Sequence, residues 1–219
     1  MVRFLGLKIH LLGPAKMARD VDKSALSNQS NLFFPSPIGP LRVSAVADRL
    51  VEIKLGAALL PDSHGSPEAD EICRLAKAEI EAFLAGERDE FSVPYRLVGS
   101  KFQRAVWKEM LRIPYGATLT YGQMAERVGG KGAVRAVGGA CGANPLPLLV
   151  PCHRVVAAAG LGGFSGGIER KKWLMKLEMT RRAPAPLSER LGGNPGQDDA
   201  PDETPRFEGG PSGEQQSLF

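Results

Sequence analysis

The break Gly129-Gly130-Lys131-Gly132 constrains this chain more than any other feature. A glycine cluster ends helices, because glycine gives up the most backbone freedom in a helix and brings no side chain to pack. Upstream, Thr120 can cap a helix over Tyr121–Val128, with Gln123 three residues along to close a capping box. Downstream, Ala133–Cys141 can resume as a helix. One long helix is excluded, and a helix-turn-helix is expected. The hairpin sits in a basic block: residues 100–180 hold twelve Lys/Arg against four Glu, a net +8 in a chain of formal charge +4. Such a block suits a polyanion, although a solvated basic face has the same composition and many helical hairpins bind nothing.

The flanks read differently. Leu32–Phe34, Leu41–Val46 and Leu50–Leu55 are strand-like and separated by Pro/Gly and Asp/Arg turns, which predicts an antiparallel meander. Residues 68–85 repeat apolar positions at helical spacing and stop at Gly86; Cys73 lies within. Residues 87–100 read as a linker, and Lys101 to about Leu111 as a further helix. Residues 183–219 hold six Gly and six Pro with clustered acids, the composition of a disordered tail. The expected organisation is an extension over 1–30, an α/β domain and linker over 31–99, a mainly helical domain over 100–180 and an acidic tail over 181–219. The fold class is therefore α+β.

No run of eighteen apolar residues occurs, so no spanning helix and no membrane partner is expected. Three cysteines argue for a reducing, cytoplasmic compartment, and with three histidines they assemble no zinc-ligand spacing; neither metal nor cofactor is expected.

Pro151-Cys152-His153-Arg154-Val155 is the sharpest motif. A cysteine is nucleophilic only as thiolate, so it needs a neighbour that lowers its pKa or takes its proton. His153 could do so, but adjacent side chains of an extended strand face opposite ways, so contact needs a turn or a bridging water. Glu178 is a candidate to orient His153. A buried, inert cysteine beside a core histidine is the competing reading.

Taken with Arg135-Ala-Val-Gly-Gly-Ala140, Asn144-Pro145, Ile113-Pro-Tyr-Gly116, Thr120-Tyr-Gly122, Gly163-Phe-Ser-Gly-Gly167 and Lys172-Trp-Leu174, this motif resembles the O6-alkylguanine-DNA alkyltransferases, densely over 100–178 and loosely over 31–99. The resemblance implies a ribonuclease-H-like N-terminal sheet with helix, then the helix-turn-helix domain. It implies a single-turnover transfer of the alkyl group from O6-alkylguanine, and also from O4-alkylthymine, in double-stranded DNA. Cys152 would be the acceptor, His153 would act through a water, and Glu178 would orient it. Tyr121 would support nucleotide rotation and bond the guanine, and Asn144 would tighten the turn before the reactive segment. Arg135 would fill the gap left by the flipped base. Ala133, Ala136, Gly138 and Gly139 would keep the recognition helix slim enough for a minor groove. Val155, Phe164, Ser165 and Gly166 would line the base pocket, with Phe164 where the family often has tyrosine. A monomer associated with the nucleoid is expected. Two alternatives remain at this level: an alkyltransferase-like lesion binder, disfavoured by the presence of Cys152, and a helix-turn-helix regulator.

The last five residues, Gln215-Gln-Ser-Leu-Phe219, stand apart from their acidic surroundings. Gln215, Ser217, Leu218 and Phe219 resemble the bacterial sliding-clamp-binding motif, which implies a clamp as partner.

Overall fold

The computed structural model describes residues 28–181. The extension before Asn28 and the tail after Arg181, with Gln215, Ser217, Leu218 and Phe219, lie outside the described residues.

Strands β1 (Gln29–Phe34), β2 (Leu41–Val46) and β3 (Arg49–Leu55) form the antiparallel meander in the order β1-β2-β3. The Ala47-Asp48 turn keeps β2 and β3 in register from Leu41 opposite Leu55 to Val46 opposite Arg49, with one irregularity at Ser44/Ala45. Helix α1 (Pro67–Ala85) covers one face of this sheet. Its ends follow the local chemistry: Ser66 caps the Ala69 N–H, Pro67 needs no intrahelical partner in the first turn, and Gly86 closes the helix at φ 80°. Its buried stripe, Ile72, Cys73, Ala76, Ile80 and Phe83, meets Phe34, Leu41, Val43 and Ile53.

The segment read as a linker carries no helix or strand, yet it is tied down. Leu50 N–H donates to Pro94 O (2.8 Å) and Arg96 N–H to Leu50 O (2.9 Å), so it runs as an incomplete fourth strand beside β3. The buried Glu79 carboxylate accepts from the Ser92 and Val93 N–H groups and the Ser92 hydroxyl. Buried backbone groups must find partners, and here a helix carboxylate supplies them.

Beyond it come α2 (Lys101–Met110), β4 (Leu119–Thr120), α3 (Tyr121–Val128), a 3-10 turn at Lys131–Ala133, α4 (Val134–Gly142), β5 (Val155–Val156) and α5 (Ile168–Thr180). The fold is thus α+β, a small antiparallel sheet followed by helices. Both α2 and α3 open with complete capping boxes, Ser100/Gln103 and Thr120/Gln123. The helix-turn-helix forms as expected, except that α4 begins one residue late, with Ala133 at its N-cap. Trp107 Nε1 donates to Ala140 O (2.8 Å) and pins α2 to α4. Among the described residues no helix is long and apolar enough to cross a membrane.

The core is continuous across the sheet and the helices. Ile53 N–H of β3 donates to Pro145 O (2.9 Å), so the sheet holds the chain just upstream of the Cys152 motif.

Candidate active site

The motif is approached through strained backbone. Leu148 is buried with φ 77°, a left-handed conformation that costs a non-glycine residue about 1 kcal/mol and recurs near functional sites. Asn144 braces this stretch, its Nδ2 donating to Val150 O (2.7 Å) and its Oδ1 accepting from Leu146 N–H (3.0 Å). Pro151 then makes an inverse γ-turn (φ −80°, ψ 65°), with Cys152 N–H donating to Val150 O at 2.8 Å.

Of the two ways to relate Cys152 and His153, a turn or a bridging water, the chain itself forms the turn. Cys152–Arg154 form a single 3-10 turn, and only Val155 and Val156 belong to a strand. Proline supplies the fixed φ that starts the turn, and Arg154 N–H closes it on Pro151 O at 2.9 Å. Successive side chains in such a turn rotate by about a third of a revolution rather than half. Cys152 and His153 are therefore not thrown onto opposite faces.

His153 is fully buried, and its Nε2 donates to Glu178 Oε1 at 2.7 Å. The Arg154 guanidinium beside Glu178 and the Gly116 N–H (2.9 Å) hold the carboxylate as well, with Arg154 Nε and Nη2 on its oxygens at 2.9–3.1 Å. Burial opposes its charge, but the His153 hydrogen bond and the Arg154 pair win, and the carboxyl falls to about 2. An ionised carboxylate only accepts, which assigns the proton of His153 to Nε2. Burial also lowers the histidine from its ordinary value, so the ring is neutral. Its buried Nδ1 has no hydrogen-bond partner among the described residues and is left as a basic lone pair.

Cys152 is 3% exposed. Burial pushes its thiol up, against the opposing pull of the Asn144 side chain, the Lys171 charge and the Cys152 and His153 N–H groups. The resting sulfur is a thiol, so reaction requires proton removal on demand.

The parallel pairing of β4 with β5, Leu119 opposite Val155 and Thr120 opposite Val156, brings the start of α3 beside the motif. Tyr121, the first residue of α3, is thereby half-buried, and its hydroxyl donates to Gly163 O (3.3 Å). Val155 is buried, Phe164 packs partly against the core, and Ser165 is exposed. Gly166 is closely covered: a Cβ would lie 2.6 Å from Leu55 Cδ1 and from Phe164 Cε1, so a side chain there would displace one or both.

Arg135 and Ala136 are exposed on α4, and Ala133 is half-buried at its start. Gly138 and Gly139 follow on the same helix, and a Cβ at either would meet nothing within 4 Å.

Sequence reasoning missed three cations. Arg154 shares Glu178 with His153 and donates through Nη1 to Ile113 O (2.6 Å). Lys171 is wholly buried, its Nζ donating to the carbonyls of Val155 (2.7 Å), Leu161 (2.5 Å) and Gly163 (3.2 Å). Burial lowers its ammonium to about 8. Arg170 reaches Ile38 O and Gly166 O, both at 2.6 Å. The spacing places Lys171 three, four and seven residues before Leu174, Met175 and Glu178, a buried face that is half charged and half apolar, so periodicity alone did not single it out. Among the described residues no group of three or more His, Cys, Asp or Glu is placed to hold a metal.

Fold and site define a class: a helix-turn-helix protein with a buried thiol beside a carboxylate-held neutral histidine. The family model described as 6-O-methylguanine DNA methyltransferase, DNA binding domain, matches residues 101–180. The methylated-DNA–protein-cysteine methyltransferase of Mycobacterium tuberculosis is 44% identical over 156 residues, 70% of this chain and 93% of the relative. That of Methanosarcina acetivorans is 40% identical over 149 residues, 67% and 96%. The crystal structure of Mycobacterium tuberculosis OGT in complex with DNA matches at a TM-score of 0.63 and 39% identity, over 74% of this chain and 99% of that one. The chain belongs to the methylated-DNA–protein-cysteine methyltransferase family.

Proposed function

We propose that this protein repairs O6-alkylguanine in double-stranded DNA by transferring the alkyl group irreversibly to its own Cys152. The observation that carries the reading is a buried Cys152 followed by a buried His153 whose Nε2 is engaged by Glu178 at 2.7 Å and whose Nδ1 has no partner among the described residues, free to accept a proton. The Cys152 proton passes through one water to His153 Nδ1, and Glu178 stabilises the imidazolium. The sulfur attacks the alkyl carbon, the carbon–O6 bond breaks, and the guanine leaves with its developing charge met by hydrogen bonds, that of the Tyr121 hydroxyl among them. A thioether is stable and nothing in the site reverses it, so each molecule reacts once.

The lesion lies inside the stack, so the nucleotide must be extruded. The helix-turn-helix is the surface for that step. Gly138 and Gly139 serve no internal packing, as fits a helix, with Ala133 and Ala136, that presses against a minor groove, and exposed Arg135 takes the vacated place in the stack. Val155, Phe164, Ser165 and Gly166 receive the base, and Asn144 sets the turn that presents Cys152. On the same reading O4-alkylthymine is a second substrate, and the protein acts as a monomer at the nucleoid.

Intact-mass spectrometry after incubation with O6-methylguanine duplex tests the proposal. One methyl group mapped to Cys152 is expected; binding to the lesion without mass gain points to a recognition protein instead.

A finer part of the proposal is that Gln215, Ser217, Leu218 and Phe219 bind a sliding clamp, the two apolar side chains filling a pocket. Their burial is worth roughly 3–6 kcal/mol before ordering costs, which suits micromolar affinity. Tethering at replicating DNA would follow. In fluorescence anisotropy, a tail peptide binding the clamp no better than its Leu218→Ala, Phe219→Ala form would exclude this.

A further inference from the structure

The start of α5 is rich in cations. Glu169 in the first turn suits the helix dipole and pairs with Lys172, but Arg170, Lys171 and Lys172 follow where the dipole disfavours them, and no side chain caps the helix. Two of these cations instead grip the loop that follows Cys152. Lys171 Nζ spends its three donors on the carbonyls of Val155, Leu161 and Gly163, the descending limb. Arg170 Nη1 donates to Gly166 O on the returning limb, and its Nε to Ile38 O in the β1–β2 turn of the N-terminal sheet.

The surroundings are shaped to this guanidinium. Gly39 (φ 92°) and Gly56 (φ 67°) flank it side by side at one end of the sheet, where Gly56 N–H donates to Pro40 O, and a Cβ on either would come within 3.0 and 3.1 Å of Arg170 Nη2. Gly166 in turn lies so close to Leu55, at the end of β3, that a Cβ would be 2.6 Å away. Two sheet turns, the last residue of β3 and the loop thus converge on one side chain that donates to both halves of the molecule.

We propose that Arg170 and Lys171 form a two-sided clamp that sets the shape of the base pocket, and that Arg170 makes this shape depend on the N-terminal sheet. Both are positioning residues: they act through the carbonyl-bearing loop Val155–Gly167 and touch no reacting atom. The N-terminal unit is then a working part of the alkyl-acceptor site. This deepens the proposed repair function and rests on it.

The test compares two reactions of Cys152 in the full chain. Free O6-benzylguanine needs the pocket; methyl iodide needs the thiol and its proton acceptor but no base pocket. For Arg170→Met the benzylguanine rate should fall about tenfold, the loss of charged hydrogen bonds at two carbonyls, with the methyl iodide rate unchanged. Arg170→Lys, which retains one donor at that reach, should lie between, and it replaces the methionine variant should that fail to fold. Affinity for undamaged duplex should not move. Equal benzylguanine rates for variant and wild type would overturn the clamp, and so would a parallel fall in both reactions, which marks a general structural role. A wild-type protein that transfers nothing from benzylguanine or alkylated DNA would instead sink the repair function itself.

Discussion

Two buried helix carboxylates do opposite kinds of work in this molecule. Glu79 on α1 accepts from two backbone N–H groups and a hydroxyl of the Ser92–Val93 stretch and pairs with Arg88. Glu178 on α5 also accepts from a backbone N–H and pairs with an arginine, but its third partner is His153, whose other nitrogen is unsatisfied. The first arrangement is closed and can only hold a loop in place. The second is open by one atom, and that atom stands next in sequence to the Cys152 thiol. Buried charge is costly and its removal usually stabilising only when all partners go together. The helical half nevertheless buries Asn144, His153, Arg154, Lys171 and Glu178 around Cys152, while the sheet half buries Ser30, Ser44 and Glu79. The concentration of buried ionisable groups, more than any cavity, distinguishes the site from the scaffold.

The comparison breaks most completely at the thiol. Cys152→Ala should abolish methyl transfer in the intact-mass assay while leaving duplex binding within about twofold, since the sulfur acts only in the chemistry. Full transfer by this variant would falsify the assignment.

Glu178→Gln and Glu79→Gln sharpen the contrast directly. Each removes a buried charge facing an arginine and should cost about 3 kcal/mol in denaturant unfolding. Only Glu178→Gln should also slow transfer, by about a hundredfold or more, because the amide neither stabilises imidazolium nor dictates the tautomer. If folded Glu79→Gln is slowed as much, the open and closed sites do not differ in function.

Arg135→Ala should slow repair of alkylated duplex by about tenfold to a hundredfold, the weight of a few kcal/mol of unstacking. Its rate with free O6-benzylguanine should stay within about twofold. Equal losses on both substrates would place Arg135 in the pocket or the scaffold.

The pH dependence carries a smaller effect with a definite sign. Burial holds the His153 pKa below its ordinary 6.5, so the transfer rate should stay level as pH falls to that value and decline only beneath it. Glu178 has a folded pKa of about 2, below its ordinary 4.5, so its contribution to stability is whole above about 4.5 and drains away between 4.5 and 2. His153, buried neutral, adds a loss that begins as pH falls below its ordinary 6.5, so a stability profile flat from 6.5 down to 2 would contradict both assignments. The smallest effect is expected at Cys73 and Cys141: burial raises these thiols to about 11 and 12, and alanine at either should leave the transfer rate within about twofold.

Much of the architecture was already written in local signals. The meander, the Gly86 stop of α1, the Thr120/Gln123 capping box and the glycine turn of the helix-turn-helix depend on residues within a few positions of one another. Side-chain periodicity and cap chemistry decide such features before any tertiary contact forms. The candidate site was legible in part because Pro151-Cys-His-Arg is a contiguous motif, with Glu178 a candidate partner in the helical segment downstream. What the tertiary structure alone decided was every partnership across distance. Glu178 is shared by Arg154, and Lys171 and Arg170 close on carbonyls of the pocket loop and the sheet. The residues read as a linker became a bonded neighbour of β3. Such choices come from the demand that each buried charge and each buried carbonyl find a partner. That demand exists only once the core has excluded water, and no spacing along the chain announces which partner will be there.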